Sequence, residues 1–87
     1  TMGLNFENLR DVLVKKHGLA AEALSPDTAL FSSRLLDSFA MVELMVTVES
    51  QGNFKFRTPD VTLDNLDTIG RILRYAEKRG AIESATT

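Results

Sequence analysis

The 87-residue chain contains no cysteine and a single histidine. The absence of cysteine excludes a disulfide framework, a thiolate metal site and a cysteine nucleophile. One histidine is too few for a metal site built from several histidines, and a Ser-His-Asp triad would depend entirely on His17. The chain therefore has little catalytic equipment of its own.

The chain also lacks a long apolar run and a strong charge of either sign. No run approaches the roughly 18 apolar residues that a membrane-spanning helix needs, so we expect no membrane span. There is no signal-peptide pattern, and we expect a cytoplasmic protein. The net charge of −2 argues against a nucleic-acid partner, because domains that bind nucleic acid are usually strongly basic. A composition of 44% hydrophobic and 25% charged residues is typical of a globular domain, which we expect to be monomeric.

Apolar residues at helical spacing predict three main helices and one short helical turn. These segments cover about residues 5–17, 37–51 and 62–66, and a last helix that ends near residue 79. Asn5 is the predicted N-cap of the first helix, and Asp37 or Ser38 can cap the second. Asp67-Thr68 is predicted to cap the last helix.

Residues 18–36 form a long connection that begins at Gly18, a residue suited to the left-handed conformation that ends many helices. The stretch Ser25-Pro26-Asp27-Thr28 predicts a turn within it. The connection carries more leucines than a free linker would, and Phe31 in addition. We therefore expect it to be pinned onto the core by these side chains.

The predicted fold class is all-α, a small antiparallel three-to-four-helix bundle with a long first loop. We assign residues 1–4 to an N-terminal remnant, 5–80 to the folded domain and 81–87 to a frayed tail. The second helix is apolar on most sides, so we expect it to be wedged between other helices. Residues 54–57 alternate like a strand but have no partner strand, and Phe31, Phe54 and Phe56 are expected in the core.

The second predicted helix opens with Leu35-Leu36-Asp37-Ser38-Phe39 and continues with Met41-Val42-Glu43-Leu44 and Glu49. Together with the later stretch from Val61 to Ile69, and with the order and spacing of the helices, this string resembles the acyl carrier protein family. In that family an Asp-Ser-Leu motif opens the second helix, and its serine carries 4′-phosphopantetheine. The resemblance covers nearly the whole chain and implies Ser38 as the attachment point.

The physical chemistry of the helix start agrees with such a modification. A phosphodiester on Ser38 would lie where free backbone N–H groups and the positive end of the helix dipole favour an anion. Asp37 has two compatible interpretations. It is suited to cap the helix, and the resemblance implies that it also presents Ser38 to a transferase.

The resemblance also implies that the second helix is the surface on which partner enzymes dock, with Phe39, Met41, Val42, Glu43 and Glu49 as the candidate contacts. Two simpler interpretations stay open. In the first, Phe39 is an ordinary core or semi-core residue. In the second, the two glutamates are charges that only solvate the outer face. Similarly, the apolar residues near this helix either line a cleft that shelters an acyl chain or fill a closed core, which we favour. The candidate cleft residues are Val42, Met45, Val46, Val61, Leu66 and Ile69.

The implied function is that of a non-catalytic carrier that holds acyl or aminoacyl groups as thioesters on covalent 4′-phosphopantetheine derived from coenzyme A. Its implied partners are a phosphopantetheinyl transferase, a loading ligase and a downstream synthase or transferase. The modest net charge of −2 and the bulky Leu36 before the motif favour an aminoacyl carrier or a specialised carrier over the strongly acidic carrier of fatty-acid synthesis. The alternative is an unmodified helical interaction adaptor. A small autonomous enzyme is a third hypothesis, but the chain lacks a base–nucleophile set for it.

Overall fold

The computed structural model describes residues 4–80, and it is built from helices and loops without a β-strand in that range. The α-helices are α1 (Phe6–His17), α2 (Ser38–Gly52), α3 (Leu63–Leu66) and α4 (Ile69–Lys78), with short 3₁₀ turns at Ala21–Ala23 and Thr58–Asp60. The predicted all-α class is confirmed, with three longer helices and a single-turn α3. Within the described range, every helix is too short or too polar to cross a bilayer. Residues 1–3 and the predicted frayed tail, 81–87, lie outside the described residues.

The ends of α1 follow from local chemistry. The Asn5 side chain accepts a hydrogen bond from the Asn8 N–H at 2.9 Å, which satisfies one of the free donors at the helix start. Gly18 ends the helix with φ of 72°, and its N–H donates to the carbonyl of Val14 at 3.2 Å. A left-handed backbone of this kind favours glycine because it has no Cβ. Both predicted end residues of α1 are confirmed.

The core is formed by large aliphatic side chains from all three longer helices and from the connection between α1 and α2. The largest fully buried side chains are Leu9, Leu13, Leu30, Leu44, Val48, Leu66, Ile69 and Ile72. Leu30 belongs to the long connection, so the expectation that this segment is pinned by its apolar side chains is confirmed. Leu4 is buried as well, although the sequence assigns residues 1–4 to a remnant outside the domain.

One side of α2 packs on the core, and the opposite side faces solvent. Its buried positions are Ala40, Leu44 and Val48, spaced four residues apart, together with Gly52. The expectation that α2 is wedged between helices on most sides is therefore wrong. Apolar periodicity shows which side chains avoid water on average, but it does not show whether a neighbouring helix is available to cover each face.

Neither interpretation of the apolar residues near α2, the cleft or the favoured closed core, describes all six candidates. Val42, Val46 and Val61 lie on the surface, whereas Leu66 and Ile69 are buried in the core. The candidates thus divide between the outside and the packed interior, and they do not line one cavity.

The segment after α2 packs through aromatic rings and forms no strand. Phe54 and Phe56 are partly buried against the core, as is Phe31. The Phe56 ring stacks on Tyr75 of α4, with ring centroids 5.2 Å apart and planes 4° from parallel. The Tyr75 hydroxyl donates to the Asp60 carboxylate at 2.6 Å. Phe54 and Phe56 therefore alternate because both rings lie on the side of the segment that contacts α4. A strand produces the same two-residue period.

Candidate functional site

Ser38 is the first residue of α2, and it is exposed. Asp37 precedes it in extended conformation, with φ of −99° and ψ of −177°, and caps the helix. The Asp37 Oδ1 atom accepts a hydrogen bond from the Ala40 N–H at 2.8 Å, and its carbonyl accepts from the Met41 N–H at 3.0 Å. Of the two predicted caps, Asp37 has this role. The Ser38 side chain is therefore not required to cap the helix.

The surroundings of Ser38 fit an attached anionic group. Among residues 4–80, none of the hydrogen bonds uses the Ser38 hydroxyl, and the side chain is open to solvent. The first backbone N–H groups of a helix have no acceptor within it, so those of Ser38 and Phe39 point outward beside this hydroxyl. A phosphate ester on Ser38 would meet these donors and the positive end of the helix dipole.

The chain that leads to Ser38 is anchored on α4. Leu30 and Leu36 are buried, and the Leu36 N–H donates to the Leu30 carbonyl at 2.8 Å, which closes residues 30–36 into a loop. Further back, the Pro26 carbonyl accepts from the Gly70 N–H at 2.9 Å. A Cβ atom at Gly70 would lie 3.0 Å from that same oxygen, so glycine permits the close approach.

Asp67 makes the most extensive polar contact with this loop. Its Oδ1 atom accepts from the Phe31 N–H at 2.8 Å and the Ser32 N–H at 2.9 Å, and Oδ2 accepts from the Ser32 hydroxyl at 2.6 Å. Its carbonyl accepts from the Leu30 N–H at 2.7 Å. Burial by itself raises the pKa of Asp67, but the hydrogen bonds from Ser32 and Phe31 outweigh it, so the pKa of this carboxyl lies below its ordinary value.

Sequence reasoning missed this role of Asp67. The predicted cap of the last helix is supplied by Thr68 alone, whose hydroxyl accepts from the Arg71 N–H at 3.0 Å. Asp67 itself is only 6% exposed. A charged residue between Leu66 and Ile69, both core positions, was the available signal, because buried carboxylates require hydrogen-bond partners.

An apolar stripe begins directly after Ser38 on the outer face of α2. Phe39 is 70% exposed, and Val42 and Val46 are each 59% exposed. Residues three and four apart on a helix lie on the same side, so these three side chains form a continuous strip. Scattered exposed apolar residues are ordinary on protein surfaces, but a contiguous strip beside the candidate attachment point is typical of an interaction surface.

Charged residues border this apolar stripe. Lys16 and His17, at the end of α1, line a shallow groove of about 520 Å³ together with Val42, Glu43 and Val46. The lining of the groove therefore combines two apolar side chains with a lysine, a histidine and a carboxylate. An apolar centre with a polar rim is the usual composition of a protein docking surface.

The five predicted docking residues of α2 do not share one face. Phe39, Val42 and Glu43 are exposed, whereas Met41 is partly buried against the core. Glu49 turns inward, and its side chain is only 18% exposed.

Glu49 instead orders the segment that follows α2. Its Oε2 atom accepts from the Phe56 N–H at 2.7 Å, and its Oε1 atom lies 3.9 Å from the Lys55 Nζ atom. Neither the docking interpretation nor the solvated-charge interpretation describes this geometry. Glu43 is therefore the glutamate of this pair that is free to face a partner.

Known proteins match this chain over most of its length. The family model described as "Phosphopantetheine attachment site" matches residues 7–76. An acyl carrier protein of Campylobacter curvus is 29% identical over 75 residues, which cover 86% of this chain and 95% of that protein. An acyl carrier protein of Campylobacter hominis is 31% identical over 72 residues, covering 83% of this chain and 89% of that protein.

The matched range runs from α1 into α4 and so includes every element that positions Ser38. The chain belongs to the acyl carrier protein family. Its cofactor is covalently attached 4′-phosphopantetheine. The exposed hydroxyl at the start of α2 fits that group, because it offers an accessible oxygen beside unoccupied backbone donors.

Proposed function

We propose that Ser38 carries 4′-phosphopantetheine and that the protein holds acyl or aminoacyl groups on this arm for presentation to partner biosynthetic enzymes. The observation that carries the proposal is the exposed Ser38 hydroxyl at the start of α2, left free because Asp37 caps the helix. When bound, the arm supplies the thiol that holds cargo as a thioester. Membership of the carrier family and the absence of cysteine in the chain support this division of roles.

Ser38 acts as the acceptor in its own modification. Its Oγ atom forms a bond to the phosphorus that joins the pantetheine arm of coenzyme A to 3′,5′-ADP. The bond to 3′,5′-ADP breaks, and the Ser38 proton passes to a base of the phosphopantetheinyl transferase. No base of this chain is needed, and the backbone N–H groups at the helix start stabilise the phosphodiester that forms.

Partner enzymes are proposed to dock on the exposed part of α2, with Phe39, Val42 and Glu43 as contacts. These partners are the transferase, a ligase that loads the cargo and a downstream synthase or transferase. An exposed aromatic side chain beside valine supplies apolar contact, and the Glu43 carboxylate suits a basic group on the partner. Tethering then makes transfer effectively intramolecular once an enzyme has docked. We also propose that the carrier works as a cytoplasmic monomer.

Mass spectrometry tests the attachment site. The protein is incubated with coenzyme A, Mg²⁺ and a broad-specificity phosphopantetheinyl transferase, and the intact mass is measured. We expect the wild type and Ser50→Ala, a change to an exposed serine later on α2, to gain the mass of phosphopantetheine. Ser38→Ala should gain none. A wild type that stays unmodified would refute the carrier role, and a modified Ser38→Ala would refute the assignment of the site.

Initial rates of the same reaction test the docking surface. We expect Phe39→Ala and Glu43→Gln to lower kcat/KM for the carrier by about three- to thirtyfold, equivalent to roughly 0.7–2 kcal/mol, mainly through KM. Glu7→Gln removes an exposed carboxylate on α1 and serves as the matched charge control. If Glu7→Gln lowers kcat/KM as much as Glu43→Gln does, net charge and not docking on α2 explains the effect.

A further inference from the structure

The Asp67 carboxylate joins two parts of the chain that are far apart in sequence. Its hydrogen-bond donors, at Phe31 and Ser32, lie 36 and 35 residues before it. Because Asp67 lies at the junction of α3 and α4 and is buried, its position is determined by the core. The carboxylate therefore provides a fixed point against which the loop is held.

The loop held in this way ends at the start of α2. Its residues are tied to each other, since Leu36 donates to Leu30 at 2.8 Å and the Arg34 N–H donates to the Phe31 carbonyl at 3.0 Å. Arg34 has φ of 68°, a left-handed conformation that is uncommon for a residue with a Cβ. Such a conformation persists where surrounding contacts enforce it. Asp37 and Ser38 follow directly after Leu36, so this closed loop determines where α2 begins.

Apolar contacts alone would not orient the loop to the same degree. Leu30 and Leu36 hold the loop against the core. The free energy gained by their burial is roughly proportional to the apolar area covered and has no preferred direction. Hydrogen bonds require both a short distance and a near-linear angle. Three such bonds to one carboxylate define the orientation of residues 31 and 32. Because the loop is closed, they also define the orientation of the residues that follow.

We propose that Asp67 is a positioning residue for the modification of Ser38, which it influences through the loop of residues 30–36 without touching the reacting atoms. This inference rests on the proposed function of Ser38. Without the carboxylate, the loop and the first turn of α2 lose their fixed orientation, while the later part of α2 stays packed through Leu44 and Val48. Docking through Val42 and Glu43 is retained, but Ser38 is placed less well in the transferase.

The transferase reaction gives the first test, with kcat and KM for the carrier measured separately. We expect Asp67→Asn to lower kcat by about tenfold, because small misplacements of reacting groups cost rates of this order or more, with KM little changed. Ser32→Ala removes one of the three bonds and should show a smaller decrease in kcat. It also keeps the test available if Asp67→Asn does not fold.

A matched control separates positioning from general loss of stability. Ile72→Val weakens the core at α4 and leaves the three side-chain hydrogen bonds of Asp67 in place. All variants are assayed under conditions in which circular dichroism shows them folded. Unchanged kcat in folded Asp67→Asn, or an equal decrease in Ile72→Val, would overturn the proposal.

Amide hydrogen exchange gives a readout that does not depend on activity. The Ala40 and Met41 amides, in the first turn of α2, are bonded to Asp37 and should exchange faster in Asp67→Asn but not in Ile72→Val. Unaltered exchange at these two amides would contradict the proposal. If the wild type is not modified at all, the proposed function of Ser38 fails instead, and the exchange data still show whether Asp67 orders the start of α2.

Discussion

Two substitutions on α2, Phe39→Ala and Leu44→Ala, distinguish its outer face from its core face. Full burial of a phenylalanine side chain is worth about 1.5–3 kcal/mol. Phe39 is 70% exposed, so the 30% of its surface that is covered accounts for at most about 0.5–0.9 kcal/mol. Alanine has the higher helix propensity by roughly 0.5 kcal/mol, which offsets much of this loss. We therefore expect Phe39→Ala to change the free energy of unfolding by less than about 1 kcal/mol.

Leu44→Ala should behave very differently. Leu44 is 1% exposed, and replacing a fully buried leucine by alanine costs about 2–5 kcal/mol in lost transfer energy and cavity formation. A small domain has a total stability of roughly 5–15 kcal/mol, so this loss is a large share of it. The contrast arises because the two side chains, five positions apart in sequence, point to different sides of α2.

Urea unfolding provides the assay, followed by far-ultraviolet circular dichroism and by the fluorescence of the single tyrosine. The two signals should give the same midpoint if unfolding is two-state. A loss above about 2 kcal/mol for Phe39→Ala would show that this face is packed in solution, and the argument for a docking stripe would then be wrong. A loss below about 1 kcal/mol for Leu44→Ala would contradict the assignment of the core face.

Three further predictions follow from local features. The folded pKa of Asp67 is lowered, so its ionised form stabilises the fold above its unfolded pKa of 3.8. The stability difference between wild type and Asp67→Asn, measured by urea unfolding, should therefore shrink as the pH falls below 3.8; a constant difference would contradict this. Burial and the hydrogen bond to Asp60 raise the pKa of Tyr75, so absorbance titration of this single tyrosine should give a value above 10.0, and Asp60→Asn should lower it. The folding free energy that protonated Tyr75 contributes is lost as the pH rises past 10.0. A Tyr75 pKa that is not raised would contradict its burial and its hydrogen bond with Asp60. Gly18→Ala should lower the free energy of unfolding, measured by thermal unfolding, by about 1 kcal/mol. The cost comes from the φ of 72° alone, since the added Cβ would meet no atom within 4 Å. An unchanged stability would show that the helix end relaxes.

The ends of the helices were predictable from sequence because they depend on neighbours in the chain. Asn5, Asp37 and Thr68 each bond to an N–H three residues later. Gly18 satisfies a carbonyl four residues earlier. Interactions of this range are encoded in a few consecutive residues, so residue type and spacing are sufficient to find them.

The faces of α2 were not predictable in the same way. The helix carries apolar residues almost all round, and their pattern alone favoured a helix enclosed by neighbours. Leu44 is covered and Val46 is exposed because the rest of the chain supplies a packing surface on only one side. Glu49 shows the same effect, since its inward turn depends on a backbone N–H seven residues away, at Phe56, that no helical pattern specifies.

The sequence by itself determined the helical class, the helix ends and the candidate serine. Only the tertiary structure decided which α2 side chains reach solvent and what holds the loop before Ser38. The physical reason is distance along the chain. Caps and turns are closed by residues three or four apart, whereas the bonds of Asp67 join residues 35 and 36 apart, which only the tertiary fold brings together.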